Sequence, residues 1–115
     1  MVVDTRDDAS VDRIFLALGA ATRRDILARA IRQEQSVSAL ARQYEMSFAA
    51  VQKHVAVLER AALVVKERRG REQIVRCNVQ TLRTAALLLD GYEQVWIERS
   101  TRIAALMDGE EGSTR

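Results

Sequence analysis

Two short helical patterns lie close together near the middle of the chain, and this closeness restricts the fold more than any other feature. The first pattern begins at Ser36 or Ser38, and the second begins at Ser47. A break of about three residues, "YEM", separates them. Two helices joined by so short a connection cross at a large angle, as in a helix-turn-helix motif. The second helix has an apolar stripe at helical spacing: Val51, Val55, Leu58 and Ala62.

Two further helical patterns precede this pair. Ser10 is the predicted N-cap of a first helix that starts at Val11, and Gly19 is its predicted stop. Thr22 is the predicted N-cap of the next helix. Residues 1–10 are polar and acidic, so we expect a flexible tail there.

The pattern changes after the second helix of the motif. Two runs rich in valine and isoleucine, "VVKER" and "QIVRCN", stand on either side of Gly70 and predict a two-stranded hairpin over residues 64–78. A long helical pattern then continues to about Met107. Residues 11–107 are therefore predicted to form one domain, followed by a polar tail at 108–115.

The composition favours a single helical domain with an aliphatic core. The chain has 115 residues, of which 48% are hydrophobic and only 4% aromatic, and it contains no proline. Charge is unevenly distributed, because residues 13–41 and 42–78 carry +3 and +4 while residues 1–12 and 79–115 carry −3 and −2. A polyanion-binding surface in the middle of the chain explains this distribution, and so does a solvated helical face.

Several classes of protein are disfavoured. Cys77 is the single cysteine, so no disulfide forms within the chain. The acidic N-terminus lacks the apolar segment of a signal peptide, and no apolar run approaches the length of a membrane span, so we expect a cytoplasmic protein without a membrane partner. His54 is the single histidine, and no phosphate-binding loop or zinc motif accompanies it, which argues against an enzyme.

The order helix, helix, helix-turn-helix, hairpin, helix resembles the ArsR (arsenic-repressor) family of small bacterial regulators. The matching segments are "ATRRDILARAI", "SVSALARQYEMSFAAVQKHVAVLERAALV" and "KERRGREQIVRCN". The resemblance implies a mainly α fold with a small β-hairpin, a dimeric winged helix-turn-helix. It also implies a sequence-specific regulator, most simply a repressor, with helix 47–61 in the major groove of double-stranded DNA and wing 64–78 on its flank.

A helix that enters the major groove needs a buried face and an outer face of small or polar residues. Ser47, Ala49, Ala50 and Gln52 fit this need, and Gln52 can contact adenine with two hydrogen bonds. Ser47 also suits a phosphate at the start of the helix, and Lys53 suits a phosphate or a guanine.

The single histidine and the arginines of the hairpin tip each have two possible roles. His54 either contacts DNA or packs within the motif, and the sequence leaves both open. Arg68, Arg69 and Arg71 at the hairpin tip either contact phosphates and the minor groove or protect the sheet edge from aggregation. We favour DNA, because Glu67 and Glu72 do not balance the arginines.

The resemblance implies a homodimer formed by the first and last helices. The last helix also has more apolar residues than one small domain can bury. The alternative is that Trp96 and Leu89 are core residues. The candidate interface residues are Val11, Phe15, Leu88, Tyr92, Val95 and Trp96.

The chain departs from the family at two places. The segment "VSALARQYE", where many members carry metal ligands, has no cysteine or histidine, and the last helix has acids but no histidine, so we expect no metal and no cofactor. Ala62 stands where the family commonly has glycine. The alternatives to a sequence-specific regulator are a winged-helix protein-interaction module and a nonspecific architectural DNA-binding protein. No pattern in the chain identifies an inducer or an operator.

Overall fold

The computed structural model describes the backbone of residues 7–113 and the side chains of residues 7–109. The chain forms two compact units, with the boundary between Ala85 and Ala86. The elements are α1 (Asp8–Leu18), α2 (Ala21–Arg32), β1 (Gln35–Ser36), α3 (Val37–Ala41), α4 (Phe48–Arg60), β2 (Val64–Arg69), β3 (Glu72–Cys77) and α5 (Val79–Ser113).

The first unit is held together by an aliphatic core, as the composition predicted. Every helix from α1 to α4 contributes to it, and strands β2 and β3 contribute one residue each. The buried residues of this core are Ile14, Ala17, Ile26, Leu27, Ala30, Val37, Leu40, Val51, Val55, Leu58, Ala61, Ala62, Leu63, Val64, Val75 and Ala85.

The helix-turn-helix motif is formed by α3 and α4, and serine caps begin both helices. The Ser36 hydroxyl accepts a hydrogen bond from the Ala39 amide at 3.0 Å, and the Ser47 hydroxyl accepts one from the Ala50 amide at 3.1 Å. Each cap satisfies an amide that has no partner in the first turn of its helix. Both caps confirm the predicted starts.

A polar cluster fastens the turn of the motif to α2. The Tyr44 hydroxyl donates to Asp25 at 2.5 Å, and Arg29 lies over the Tyr44 ring at 5.5 Å from its centroid. Burial, together with the hydrogen bond to the Asp25 carboxylate, raises the pKa of Tyr44 to about 12. The same hydrogen bond and the one from Arg29 lower the pKa of Asp25. The tyrosine is therefore neutral and the carboxylate charged at neutral pH.

The sheet has three antiparallel strands in the order β1-β3-β2. The register of β2 and β3 runs from Val64 opposite Cys77 to Arg69 opposite Glu72, so the predicted hairpin is confirmed. Gly70 lies in the turn with φ +62°, a left-handed backbone that glycine adopts without steric cost. The sequence did not predict β1, which is only two residues long.

Four predicted boundaries are wrong. The helix α3 ends at Ala41, so six residues, 42–47, rather than about three separate it from α4. Asp7, not Ser10, caps α1: its carboxylate accepts from the Ala9 amide at 3.1 Å and from the Ser10 hydroxyl at 2.7 Å. The helix therefore starts inside the predicted tail, of which residues 1–6 lie outside the described part. Thr22 lies within the first turn of α2, whose N-cap residue is Ala20. Finally, α5 continues to Ser113 through the predicted tail at 108–115, because extending a formed helix is far easier than starting one.

The end of α4 has a strained backbone. Ala62 has φ +60°, and the Leu63 amide bonds the Leu58 carbonyl at 3.0 Å while the Ala62 amide bonds the Glu59 carbonyl at 2.9 Å. These two bonds form a Schellman motif, which places a residue in the left-handed region. An alanine there costs roughly 1–2 kcal/mol, because its Cβ crowds the backbone.

Replacing Ala62 with glycine should therefore be less harmful than replacing its neighbour Ala61. Both alanines are buried, at 4% and 2% exposure, so both replacements lose a similar methyl contact and gain similar freedom in the unfolded chain. Only Ala62→Gly also relieves the left-handed strain. We expect the free energy of unfolding of Ala62→Gly to exceed that of Ala61→Gly by about 1–2 kcal/mol. Urea unfolding of both variants at one protein concentration measures this difference, and equal values would contradict it.

Candidate nucleic-acid interface

The outer face of α4 carries most of the predicted DNA-contact residues. Val51, Val55 and Leu58 are fully buried, which turns the opposite side of the helix outward. The predicted contact residues on α4 divide by exposure, with Ala50 and His54 half-buried and Ser47, Ala49, Gln52 and Lys53 exposed. The exposed residues offer one amide, one ammonium and small side chains, which leaves room for close approach to a base edge.

Ser47 has a structural role and retains a donor. Its hydroxyl oxygen accepts from the Ala50 amide, so one lone pair is used by the cap. The hydroxyl hydrogen remains able to donate, and a phosphate oxygen at the start of a helix is a suitable acceptor. Capping and a phosphate contact are therefore compatible.

His54 is linked to α1 through Arg23. The Arg23 guanidinium donates to the Ala17 and Leu16 carbonyls at the end of α1, each at 2.8 Å, and its Nη1 lies 3.4 Å from His54 Nδ1. A guanidinium can only donate, so in this contact Nδ1 is the acceptor and the ring hydrogen lies on Nε2. Arg23 thus connects the end of α1 with α4 and leaves Nε2 of His54 as a donor.

The three wing arginines differ in their partners. Arg69 pairs with Glu34 through both carboxylate oxygens and lies 3.2 Å from Glu67. Arg68 instead donates to the Gly70 carbonyl at 3.3 Å. Among the side chains of residues 7–109, neither Arg68 nor Arg71 has a carboxylate within 4.0 Å.

The ion pair of Arg69 has consequences for charge. The Arg69 guanidinium lowers the pKa of Glu34, and Glu34 and Glu67 raise the pKa of Arg69. The expectation that nearby acids leave the wing arginines unbalanced is therefore wrong for Arg69. Arg68 and Arg71 are exposed at the tip of the wing and supply its outward positive charge.

The candidate dimer residues are mostly exposed in the single chain. On α5, Tyr92, Val95 and Trp96 are 64%, 63% and 61% exposed, and Leu88 is half-buried. The alternative that Trp96 is core is therefore wrong for the isolated chain. On α1, Phe15 is 38% exposed and Val11 is half-buried.

No three histidine, cysteine, aspartate or glutamate side chains among residues 7–109 converge on a point where a metal ion could bind. Cys77 is half-buried, and burial raises the pKa of its thiol. None of the helices described is both long and apolar enough to span a membrane.

Three residues near this interface were not predicted from the sequence: Arg23, Glu34 and Phe48. Glu34 lies 35 positions from Arg69, and Arg23 lies 31 positions from His54, so no local spacing links either pair. Phe48 continues the apolar stripe of α4 by spacing alone, yet it is 46% exposed, because the first turn extends beyond the core. Only its position beside the predicted contact residues could have identified it.

Comparison with known proteins connects this interface with regulators of transcription. No family model matches the chain. It is 34% identical over 105 residues to the HTH-type transcriptional regulator Rv2034 of Mycobacterium tuberculosis, covering 91% of this chain and 95% of that protein. The solved structure of an ArsR-like transcriptional regulator from Rhodococcus sp. RHA1 is 33% identical, with a TM-score of 0.73 over 83% of this chain and 90% of that one.

A second solved structure, of the ArsR family transcriptional regulator RHA00566, has the same TM-score at 25% identity, over 84% of this chain and 96% of that one. A homodimeric winged helix-turn-helix domain from Mycobacterium bovis has a TM-score of 0.62 at 24% identity and shows the fold alone. Identity above 30% over most of both chains is enough to assign the family. The chain belongs to the ArsR family of winged helix-turn-helix, DNA-binding transcriptional regulators.

Proposed function

We propose that this regulator is a homodimeric repressor that places α4 in the major groove of a pseudo-palindromic operator and its wing on the flanking backbone. One observation carries the proposal. The buried stripe of α4 turns Ser47, Ala49, Gln52 and Lys53 outward, and the same unit exposes Arg68 and Arg71 at the hairpin tip. Small and polar side chains that can contact base edges, together with cations that can contact phosphates, are the combination that a duplex requires.

The two parts of the surface have different tasks in this proposal. Gln52 reads adenine, because its amide NH₂ can donate to N7 while its carbonyl oxygen accepts from the N6 amino group of the same base. Lys53, Arg71 and Arg68 bind phosphates, which carry no sequence information. Lys53 and the hydroxyl of Ser47 fix the position of α4 along the groove.

The dimer is proposed from α5. Among the described residues of α5, ten large hydrophobic side chains are 46–72% exposed, and exposed apolar surface of this kind commonly marks a protein–protein interface. A second copy of the chain would cover this surface and supply the second α4, so that two half-sites about one helical turn, ~34 Å, apart are read together. The Mycobacterium bovis domain, which has this fold, is described as homodimeric. Val11 and Phe15 on α1 remain predicted members of the interface.

Gln52→Ala and Arg71→Ala should have different effects on binding. Loss of the amide should cost about 1–3 kcal/mol on a preferred operator and little on random duplex. Loss of Arg71 should weaken both duplexes to a similar extent and lower the salt slope by about one. Fluorescence anisotropy on both duplexes at several salt concentrations measures these effects. Identical behaviour of the two variants would contradict the division of tasks, and no effect from either would place the DNA surface elsewhere.

Arg69→Ala should change the salt slope less than Arg71→Ala does. Arg69 is already paired with Glu34 and Glu67, so it has less free charge to offer a phosphate. The same anisotropy series tests this, with Arg68→Ala as a second exposed wing variant. If Arg69→Ala lowers the slope as much as Arg71→Ala, Arg69 leaves its ion pairs on binding and contacts a phosphate directly.

Trp96→Ala should weaken the dimer without unfolding the first unit. The ring is 61% exposed in the single chain, so its burial would come from the partner copy. A large aromatic side chain at the centre of an interface contributes about 2 kcal/mol or more. Sedimentation over a range of protein concentrations gives the dimer Kd, and circular dichroism checks the helices. Glu98→Ala is the matched control, because it lies two residues away on the opposite side of α5. A monomer at micromolar concentration in the unmodified protein would exclude the dimer.

A further inference from the structure

Phe48 is a large apolar side chain that α4 leaves exposed. It is the first residue of the helix, directly after the capping serine, and 46% of it is accessible. Val51 and Val55, which follow at helical spacing, are fully buried, so the core does not extend to Phe48. An aromatic ring is thus presented at the end of the helix that approaches DNA.

Phe48 lies at the border between the buried stripe of α4 and its outer face, one turn before Gln52. Residues four apart on a helix are stacked one turn above the other, separated by roughly 6 Å along the axis. This is a little less than two steps of about 3.4 Å between bases along a strand. With Gln52 on a base in the major groove, Phe48 would lie over a base pair one or two steps away.

The chemistry of the groove restricts what a phenyl ring can accept. Donors and acceptors of a base edge lose their water under an apolar ring and gain no hydrogen bond in return, which is costly. Thymine alone presents an apolar group in the major groove, its C5-methyl, and phenylalanine is one of the residues that contacts it. The ring therefore has one favourable neighbour among the four bases.

We propose that Phe48 is a specificity-determining residue that selects thymine, through the C5-methyl group, one or two base pairs from the adenine read by Gln52. The inference rests on the proposed entry of α4 into the major groove. Ala49 is also exposed and its methyl is the nearest alternative reader, so the test separates the two side chains.

The experiment uses the full-length protein and synthetic DNA. A duplex is first obtained by selection from a random-sequence library with the unmodified protein. Each thymidine of the selected duplex is then replaced in turn by deoxyuridine, which removes only the C5-methyl and keeps base pairing. We expect one symmetry-related pair of positions to matter, with about fourfold weaker binding per half-site, equivalent to about 0.8 kcal/mol for one buried methyl-sized group.

Four variants assign the methyl contact to a side chain. Phe48→Ala should bind the thymidine and deoxyuridine duplexes equally, because the group that senses the methyl is gone. Phe48→Leu should keep part of the difference, since it retains an apolar side chain. Ala49→Gly and Gln52→Ala should keep the full difference at this position, although Gln52→Ala loses its preference for adenine.

The outcomes are distinguishable. If no deoxyuridine duplex binds the unmodified protein more weakly, the inference about Phe48 is wrong while the proposed operator binding stands. The same holds if the difference disappears in Ala49→Gly and persists in Phe48→Ala. If selection enriches no sequence at all, sequence-specific binding itself fails, and the inference with it. The comparison of thymidine and deoxyuridine duplexes with the unmodified protein needs no variant. A folding defect in Phe48→Ala therefore cannot hide a negative result.

Discussion

Burial of the apolar stripe of α4 determines which side chains of that helix can contact a ligand. Val51, Val55 and Leu58 are fully buried, and each such side chain contributes about 1.5–3 kcal/mol, which sums to roughly 5–9 kcal/mol as an upper estimate. A good contact to a single base is worth about 1–3 kcal/mol. The core therefore fixes the rotation of α4, and DNA contacts are too weak to change it. Which residues face outward is decided before any ligand is present.

Polar links then fasten the edges of the first unit to this core. Tyr44 ties the turn of the motif to Asp25 on α2, Arg23 ties the end of α1 to α4, and Glu34 ties the wing to the segment before β1. The pKa values of Asp25 and Glu34 are lowered by their partners. Their stabilising effect is therefore present at neutral pH and is lost as the pH falls through these lowered values. Both carboxylates are solvent-accessible, so the contribution of each is modest.

The sequence predicted what depends on neighbouring residues. Helical periodicity and the caps Ser36 and Ser47 identified the motif, and the valine-rich runs around Gly70 identified the hairpin. Errors arose where two nearby groups compete, as when Asp7 rather than Ser10 caps α1. Links over long distances along the chain, such as Glu34 with Arg69, carry no periodic signal at all. The sequence therefore predicted which residues belong to the candidate interface. Their exposure and their ion pairs depend on the fold and were not predicted.

A count of the arginines in the wing overestimates the positive charge that the wing can offer to DNA. Three arginines lie within four positions, yet Arg69 is neutralised by Glu34 and Glu67, and Glu67 also lies 3.2 Å from Arg76. The outward charge of the tip thus comes from Arg68 and Arg71. Two cations that bind phosphates can add affinity but distinguish few sequences. In the proposed complex, discrimination between operators would therefore have to come from α4, where the Gln52 amide and the exposed Phe48 ring lie one turn apart.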